Sequence, residues 1–168
     1  MLEKTLFVTR GIPGSGKSTF VNRHLANTTI ICPDELRIKY VGIKETENGP
    51  QIDNSKDKFI WDKVFLLLEE SLKTNTYTTL DATSTKQHDL NKYLKLCQKY
   101  GAKLVIIDFS KISLLECKLR NIQREKFRIV PEEVLDRMYK NLQNKLTSEL
   151  QECLIDFEDF IRKYELKG

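Results

Sequence analysis

Apolar and polar positions along this chain follow two periods, and the switches between them outline its elements. Four short runs of β-branched and apolar residues read as strands: TLFVTRG (Thr5 to Gly11), TTIICP (Thr28 to Pro33), YTTLDAT (Tyr77 to Thr83) and KLVIIDF (Lys103 to Phe109). Such runs suit buried parallel strands. Helical spacing fills the gaps. One pattern starts at Lys17 inside a glycine-rich turn and runs to about Ala26. A second, KDKFIWDKVFLLLEESLKT, sets Phe59, Ile60, Val64, Leu67 and Leu68 on one face. A third follows a cap at Ser84 or Thr85 and stops at Gly101, where glycine suits the left-handed position after a helix.

After Phe109 the strand signals cease and the remainder reads as helix. Pro131 suits a first helical position, with Glu132 and Glu133 in the opening turn and Val134, Leu135, Met138, Tyr139 and Leu142 at helical spacing. Ser148 with Gln151 resembles a capping box, so Glu149 to Tyr164 is expected as a separate helix turning Leu150, Leu154, Phe157 and Ile161 inward. Lys44 to Ser55, KETENGPQIDNS, is expected as the one long mobile loop. Strands alternating with helices predict an α/β fold of three layers, α/β/α, with a small parallel sheet of about four strands.

Composition narrows this picture slightly. A chain of 168 residues, 40% hydrophobic, supports one compact domain over 1–168. Charged residues make up 31% and leave a net charge of +4, compatible with polyanionic partners without demanding them. Cys32, Cys97, Cys117 and Cys153 lie far apart, with no metal-binding spacing, so a reducing, intracellular, cytoplasmic setting is expected. Neither a signal-peptide pattern nor an apolar run of membrane-spanning length is present.

The chemistry begins at Gly11-Ile-Pro-Gly14-Ser15-Gly16-Lys17-Ser18-Thr19, which satisfies GxxxxGK[ST] between a predicted strand and a predicted helix. Glycines let backbone N–H groups converge on phosphate oxygens, the helix N-terminus adds its dipole, Lys17 reaches the terminal phosphates, and Ser18 offers a hydroxyl to Mg2+. ATP with Mg2+ is the expected ligand. The guanine-reading NKxD and the DxxG switch of GTPases are both missing from the sequence.

In CPDELR, Asp34 falls just past the second strand, at the sheet edge where ligands bind, and Arg37 lies one helical turn later. An aspartate there can accept the proton of an attacking hydroxyl, and an arginine can grip an anionic group of the acceptor. On spacing alone, Asp34 and Glu35 also read as favouring the helix dipole, and Arg37 as a solvated residue. Asp81 ends its strand where a carboxylate can meet the magnesium water shell, with Asp108 in VIID an equal rival; either also reads as a strand-end turn aspartate. Arg120, Arg124 and Arg128 stand at i, i+4 and i+8, on one face if the helix persists, either as lid arginines over the ATP phosphates or as a basic solvated face. The lid is expected at about 118–130 and a C-terminal helical segment at about 131–165.

GIPGSGKST, PDELR, LDAT and LRNIQR…VPEEVLDRMY, in this order, resemble the kinase domain of the phage-type 5′-hydroxyl polynucleotide kinase family, over about Leu6 to Tyr139. The resemblance implies a P-loop kinase fold and transfer of the ATP γ-phosphate to the 5′-hydroxyl end of RNA or DNA. It implies catalytic roles for Lys17, Asp34 as general base, and Arg120 and Arg124 as lid arginines, with ATP held by Gly11, Gly14, Ser15, Gly16, Lys17, Ser18, Thr19, Arg120 and Arg124. Arg37 is similar to the arginine that contacts the acceptor's 3′-phosphate, and Ser18 and Asp81 to the metal ligands. Phosphatase or ligase domains commonly fused to this kinase are expected on separate proteins. Two strings depart from the family, Pro33 before the base aspartate and DATS in place of Asp-Ala-Thr-Asn. Kinases of small molecules or of aminoacyl-tRNA, and a non-catalytic ATP-binding module, are the alternative readings. Tyr40, Phe59 and Trp61 are available for stacking on bases, although helical spacing favours Phe59 as core.

Overall fold

In the structure, a computed structural model, residues 2–164 are described; the ends of the expected 1–168 unit and residue 165 of its C-terminal segment lie outside the described residues. The central strand β1 (Thr5–Arg10) is buried along its whole length. It runs parallel to β5 (Tyr77–Leu80) on one side and β6 (Lys103–Asp108) on the other, and β2 (Thr29–Ile31) pairs beyond β5. A fifth strand, β7 (Leu154–Asp156), pairs parallel with β6 and corrects both the four-strand expectation and the reading of the tail as one helix. The tail instead holds a short α7 (Ser148–Glu152), β7 and α8 (Phe157–Lys163). Asp156 caps α8 by accepting from Glu158 N–H, an interruption that a single helix over Glu149 to Tyr164 excludes.

Alternation along the buried strands builds the layers. Leu6, Val8, Leu104 and Ile106 face one side and pack under α3 (Asp57–Thr74) and α4 (Gln87–Tyr100), through Ile60, Val64, Leu68, Leu90, Tyr93 and Leu96. Phe7, Val105 and Ile107 face the other side, against Phe20 and Val21 of α1 (Lys17–His24) and Phe160 of α8. A third cluster, Ile12, Cys117, Leu135 and Leu142, joins the glycine loop to α5 (Leu114–Asn121) and α6 (Glu132–Leu142). Arg10 ties these parts together. Its buried guanidinium bonds Asp108 at 2.9 Å and the Leu142 carbonyl at 3.1 Å.

Four local expectations need correction. Residues 44–55 do not form one loop: β3 (Ile43–Thr46) and β4 (Gly49–Ile52) pair antiparallel in a hairpin turned by Glu47 and Asn48, with Gly49 at φ 89°. The N-cap of α4 is Lys86, not Ser84 or Thr85. The Ser148–Gln151 capping box does not form; Thr147 precedes α7 and the Gln151 side chain bonds the Leu146 carbonyl. Phe59 is not core but 46% exposed, as is Ile161 at 37%. All four cysteines are free thiols, and among the described residues no helix is long and apolar enough to cross a membrane.

Candidate functional site

At the C-terminal edge of the sheet the chain leaves β1 into the glycine loop, and the loop feeds α1. Gly14 and Gly16 adopt φ of 85° and 95°, which only glycine takes without strain. A side chain on Gly14 would also run into the Cys117 backbone carbonyl, so the loop lies directly against α5. The first α1 bond is Phe20 N–H to the Gly16 carbonyl at 3.0 Å, which leaves the N–H groups of Lys17, Ser18 and Thr19 without intrahelical acceptors. Ser15 Oγ is buried with no partner. Lys17 Nζ donates to the Ile12 carbonyl at 2.9 Å. Burial pushes its pKa down to about 8, opposed chiefly by the nearby Asp81 carboxylate. Unpartnered donors and a partly desolvated ammonium suit the β- and γ-phosphates of a nucleotide.

Asp81 follows β5 and is buried. Its Oδ2 accepts from Ser18 Oγ at 2.7 Å and its Oδ1 from Thr9 Oγ1 at 3.3 Å, so β1, β5 and α1 converge on one carboxylate. Asp108, its rival in the sequence, points elsewhere: it accepts from Arg10 at 2.9 Å and from Ser110 Oγ at 2.6 Å. The hydroxyl and carboxylate of the Ser18–Asp81 pair are oxygen donors of the kind that fits a magnesium ion.

Two clefts flank the loop, and Pro13 lines both. The first, of about 670 Å³, runs along Gly14 to Thr19 and is closed by Arg120, Arg124, Ile112 and Phe157. The second, of about 560 Å³, is bounded by Asp34, Arg37, Asp57, Asp81, Trp61 and the lid residues Phe127 to Pro131. In it Asp34, in the first turn of α2 (Pro33–Tyr40), accepts from Arg37 Nη1 at 2.8 Å. Asp57, at the start of α3, accepts from Arg37 Nε at 3.0 Å and Nη2 at 2.5 Å. Sequence reasoning missed Asp57 because an acidic residue in a polar, charged segment of this kind usually marks a solvated helix start.

The lid is not one helix. α5 stops at Asn121, and a 3-10 turn over Lys126–Arg128 follows, so Arg120, Arg124 and Arg128 do not share a helical face. Asn121 clasps the intervening segment: its Nδ2 donates to the Val130 carbonyl at 2.8 Å and its Oδ1 accepts from Val130 N–H at 3.1 Å. Arg120 is bound to Glu116 and stands beside Gly16. Arg124 Nη1 bonds the Arg128 carbonyl at 2.8 Å; burial lowers its guanidinium pKa, with Asp34 the leading opposing charge. Arg128 turns to the second cleft, where it meets Glu35 at 2.6 Å and Glu125 at 3.0 Å. Arg120 and Arg124 therefore face the first cleft, and Arg128 does not.

A family model described as an AAA domain matches residues 6–144. No curated protein matches the sequence. Solved structures share the fold. A chain of the Pnkp1/Rnl/Hen1 RNA repair complex is 21% identical with a TM-score of 0.64, over 85% of this chain and 45% of that one. The AvrRxo1-ORF1:-ORF2 complex with ATP gives 18% and 0.64, over 98% of this chain and 52% of its counterpart. A gluconokinase from Sinorhizobium meliloti gives 16% and 0.57, over 96% and 89%. The chain thus spans less than half the length of the RNA repair chain and about half of the AvrRxo1 chain.

Proposed function

The chain belongs to the AAA-domain family and carries the P-loop kinase fold, and from that premise we propose that it transfers the γ-phosphate of ATP to the 5′-hydroxyl end of RNA or DNA. The observation that carries this reading is the Asp34–Arg37 pair in a cleft that adjoins the candidate nucleotide cleft at Pro13 of the glycine loop. ATP lies along Gly11 to Thr19, with its phosphates against the loop N–H groups and Lys17. Ser18 and Asp81 would hold a magnesium ion, which would supply neutralisation of phosphate charge. Asp34 accepts the proton of the acceptor hydroxyl as its oxygen bonds to the γ-phosphorus. The bond from that phosphorus to the β,γ-bridging oxygen breaks, and ADP leaves. Arg124 and Arg120 reach the nucleotide side and offset charge on the transferring group.

A second reading, a kinase of a neutral small alcohol, rests on a specific observation: the Arg37 guanidinium is engaged by two carboxylates, and the cleft is lined mostly by apolar side chains. An acceptor without an anionic group suits that arrangement. Transfer of labelled γ-phosphate to matched RNA and DNA oligonucleotides, with nucleosides and sugars as competitors, separates the two. Label on the oligonucleotides is the expected result; label on a small alcohol alone supports the second reading, and ATP binding without transfer supports a binding module. Asp34→Ala is expected to lower kcat by at least about a hundredfold, within the range for loss of a general base, with ATP affinity retained. Retained turnover removes Asp34 from the reaction.

A further inference from the structure

Beside the second cleft lies an exposed aromatic patch that the chemistry above does not use. α2 carries Arg37 into the cleft and Tyr40 one turn later; α3 carries Asp57 and Trp61 into the cleft, with Phe59 and Lys63 on its flank. Tyr40 and Phe59 are 43% and 46% exposed, yet their rings meet edge to face with centroids 6.3 Å apart. Lys63 Nζ stands 4.5 Å from the Tyr40 ring centre and 5.4 Å from that of Phe59, and Lys39 Nζ stands 5.2 Å from Tyr40. Neither lysine has a carboxylate within ion-pair distance among the described residues, whereas Lys58 on the same helix as Lys63 pairs with Asp62 at 2.7 Å. Two aromatic faces are thus held in place with two uncompensated cations over them, on the same helices that form the cleft wall.

Resting on the reading of that cleft as the seat of a 5′-hydroxyl end, we infer that Tyr40, Phe59, Lys39 and Lys63 form a platform for the single-stranded nucleotides that trail the reacting end. Every base has a π-face, so a base that displaces the lysine ammonium groups from the Tyr40 and Phe59 rings stacks there without its sequence being read. The two ammonium groups meet the backbone phosphates that such a strand carries past the cleft, and this contact weakens with salt. The platform adds nothing for an acceptor of one nucleotide, which ends inside the cleft. It also requires an unpaired strand, since bases stacked in a duplex leave no face for the rings.

The test compares kcat/KM on a nucleoside 3′-monophosphate with that on a single-stranded hexanucleotide bearing a 5′-hydroxyl, for the wild type, Tyr40→Ala/Phe59→Ala and the conservative Tyr40→Phe/Phe59→Tyr. The hexanucleotide advantage of the wild type is expected to shrink in the alanine pair by about 5- to 100-fold, the range for one base–aromatic stack, and to return in the conservative pair. Lys39→Ala/Lys63→Ala is expected to flatten the salt dependence of hexanucleotide binding, read by fluorescence anisotropy without ATP. Phosphorylation of both acceptors with an unchanged length advantage in the alanine pair overturns the platform alone. A change in oligomeric state of the alanine pair with unchanged hexanucleotide binding assigns the patch to a protein contact instead. No transfer to either acceptor overturns the 5′-end reading and the platform with it.

Discussion

At the scale of single residues, the site is a set of charges whose neighbours decide what they do. Lys17 is buried against the glycine loop, and its pKa falls to about 8 because burial costs its charged form more than Asp81 returns. On the proposed reading, the ATP phosphates bind the ammonium and not the amine. In EDTA, with no metal to mask the effect, ATP affinity is therefore expected to hold steady below pH 8 and to fall as pH rises through it, about tenfold weaker at pH 9. Titration calorimetry across that range checks the sign, and Lys17→Met should remove the dependence; affinity that rises with pH contradicts it. Asp57 sets a second expectation. It holds two of the Arg37 nitrogens while Asp34 holds a third, so the guanidinium orients the proposed base from one side and is itself fixed from the other. Asp57→Ala is expected to lower kcat about three- to tenfold, with the KM for ATP unchanged, because the ATP cleft does not include it. A loss confined to the KM for ATP contradicts that role.

At the scale of elements, local pattern was legible where one face was buried and illegible where neither was. The strands over Thr5 to Arg10 and Lys103 to Asp108 read clearly because both faces of their central residues are covered, and Thr5 to Thr9 and Leu104 to Ile107 are all apolar or β-branched. The β3–β4 hairpin did not, since its eight residues are half-buried or exposed and show no regular alternation of apolar and polar positions; the Asn48-Gly49 pair was its turn signal. β7 has three partly buried residues whose strand character comes from pairing with β6, a long-range contact that no local window contains. Among the candidate site residues, the glycine loop was visible from its motif and Asp34, Arg37 and Asp81 from their strand-end positions, with Asp108 an equal rival to Asp81 until the structure showed their partners. Asp57 and Asn121 were not, because each acts through a partner distant in sequence or across a loop. Asn121 offers the prediction for this scale. It is buried, and its two bonds to Val130 close the lid segment. Asn121→Ala leaves Val130 N–H and C=O without those partners, at a cost of about 1–3 kcal/mol. Hydrogen exchange over residues 122–129 is expected to quicken while α1 and α3 keep their protection; uniform loosening of the whole chain would instead mark Asn121 as a general core residue.

At the scale of the molecule, two aspartates at the ends of the strands on either side of β1 have opposite partners, although the sequence presents them as equals. β5 and β6 both flank β1, so both Asp81 and Asp108 emerge at the edge where the glycine loop turns. Asp81 bonds Ser18 beside the glycine loop, at the proposed phosphate site. Asp108 bonds Arg10, which reaches on to the Leu142 carbonyl and so fastens the sheet to the helix behind the lid. The Arg10 guanidinium is only 3% exposed, so removing Asp108 strands a buried positive charge, which costs about 3–5 kcal/mol. Each kcal/mol shifts the melting temperature of a chain this long by roughly 2–4 °C, so Asp108→Ala is expected to melt on the order of 10 °C lower. At a temperature where it stays folded, its magnesium-dependent transfer rate should remain close to that of the wild type. Asp81→Asn, nearly isosteric and with Thr9 still able to bond the Ala82 carbonyl at 2.8 Å, should melt near the wild type and lose magnesium-dependent transfer. Thermal melts and turnover on the same two variants give four numbers. The reverse pattern, stability lost at Asp81 and activity lost at Asp108, would exchange the two roles and move the metal to the Arg10 side of the sheet.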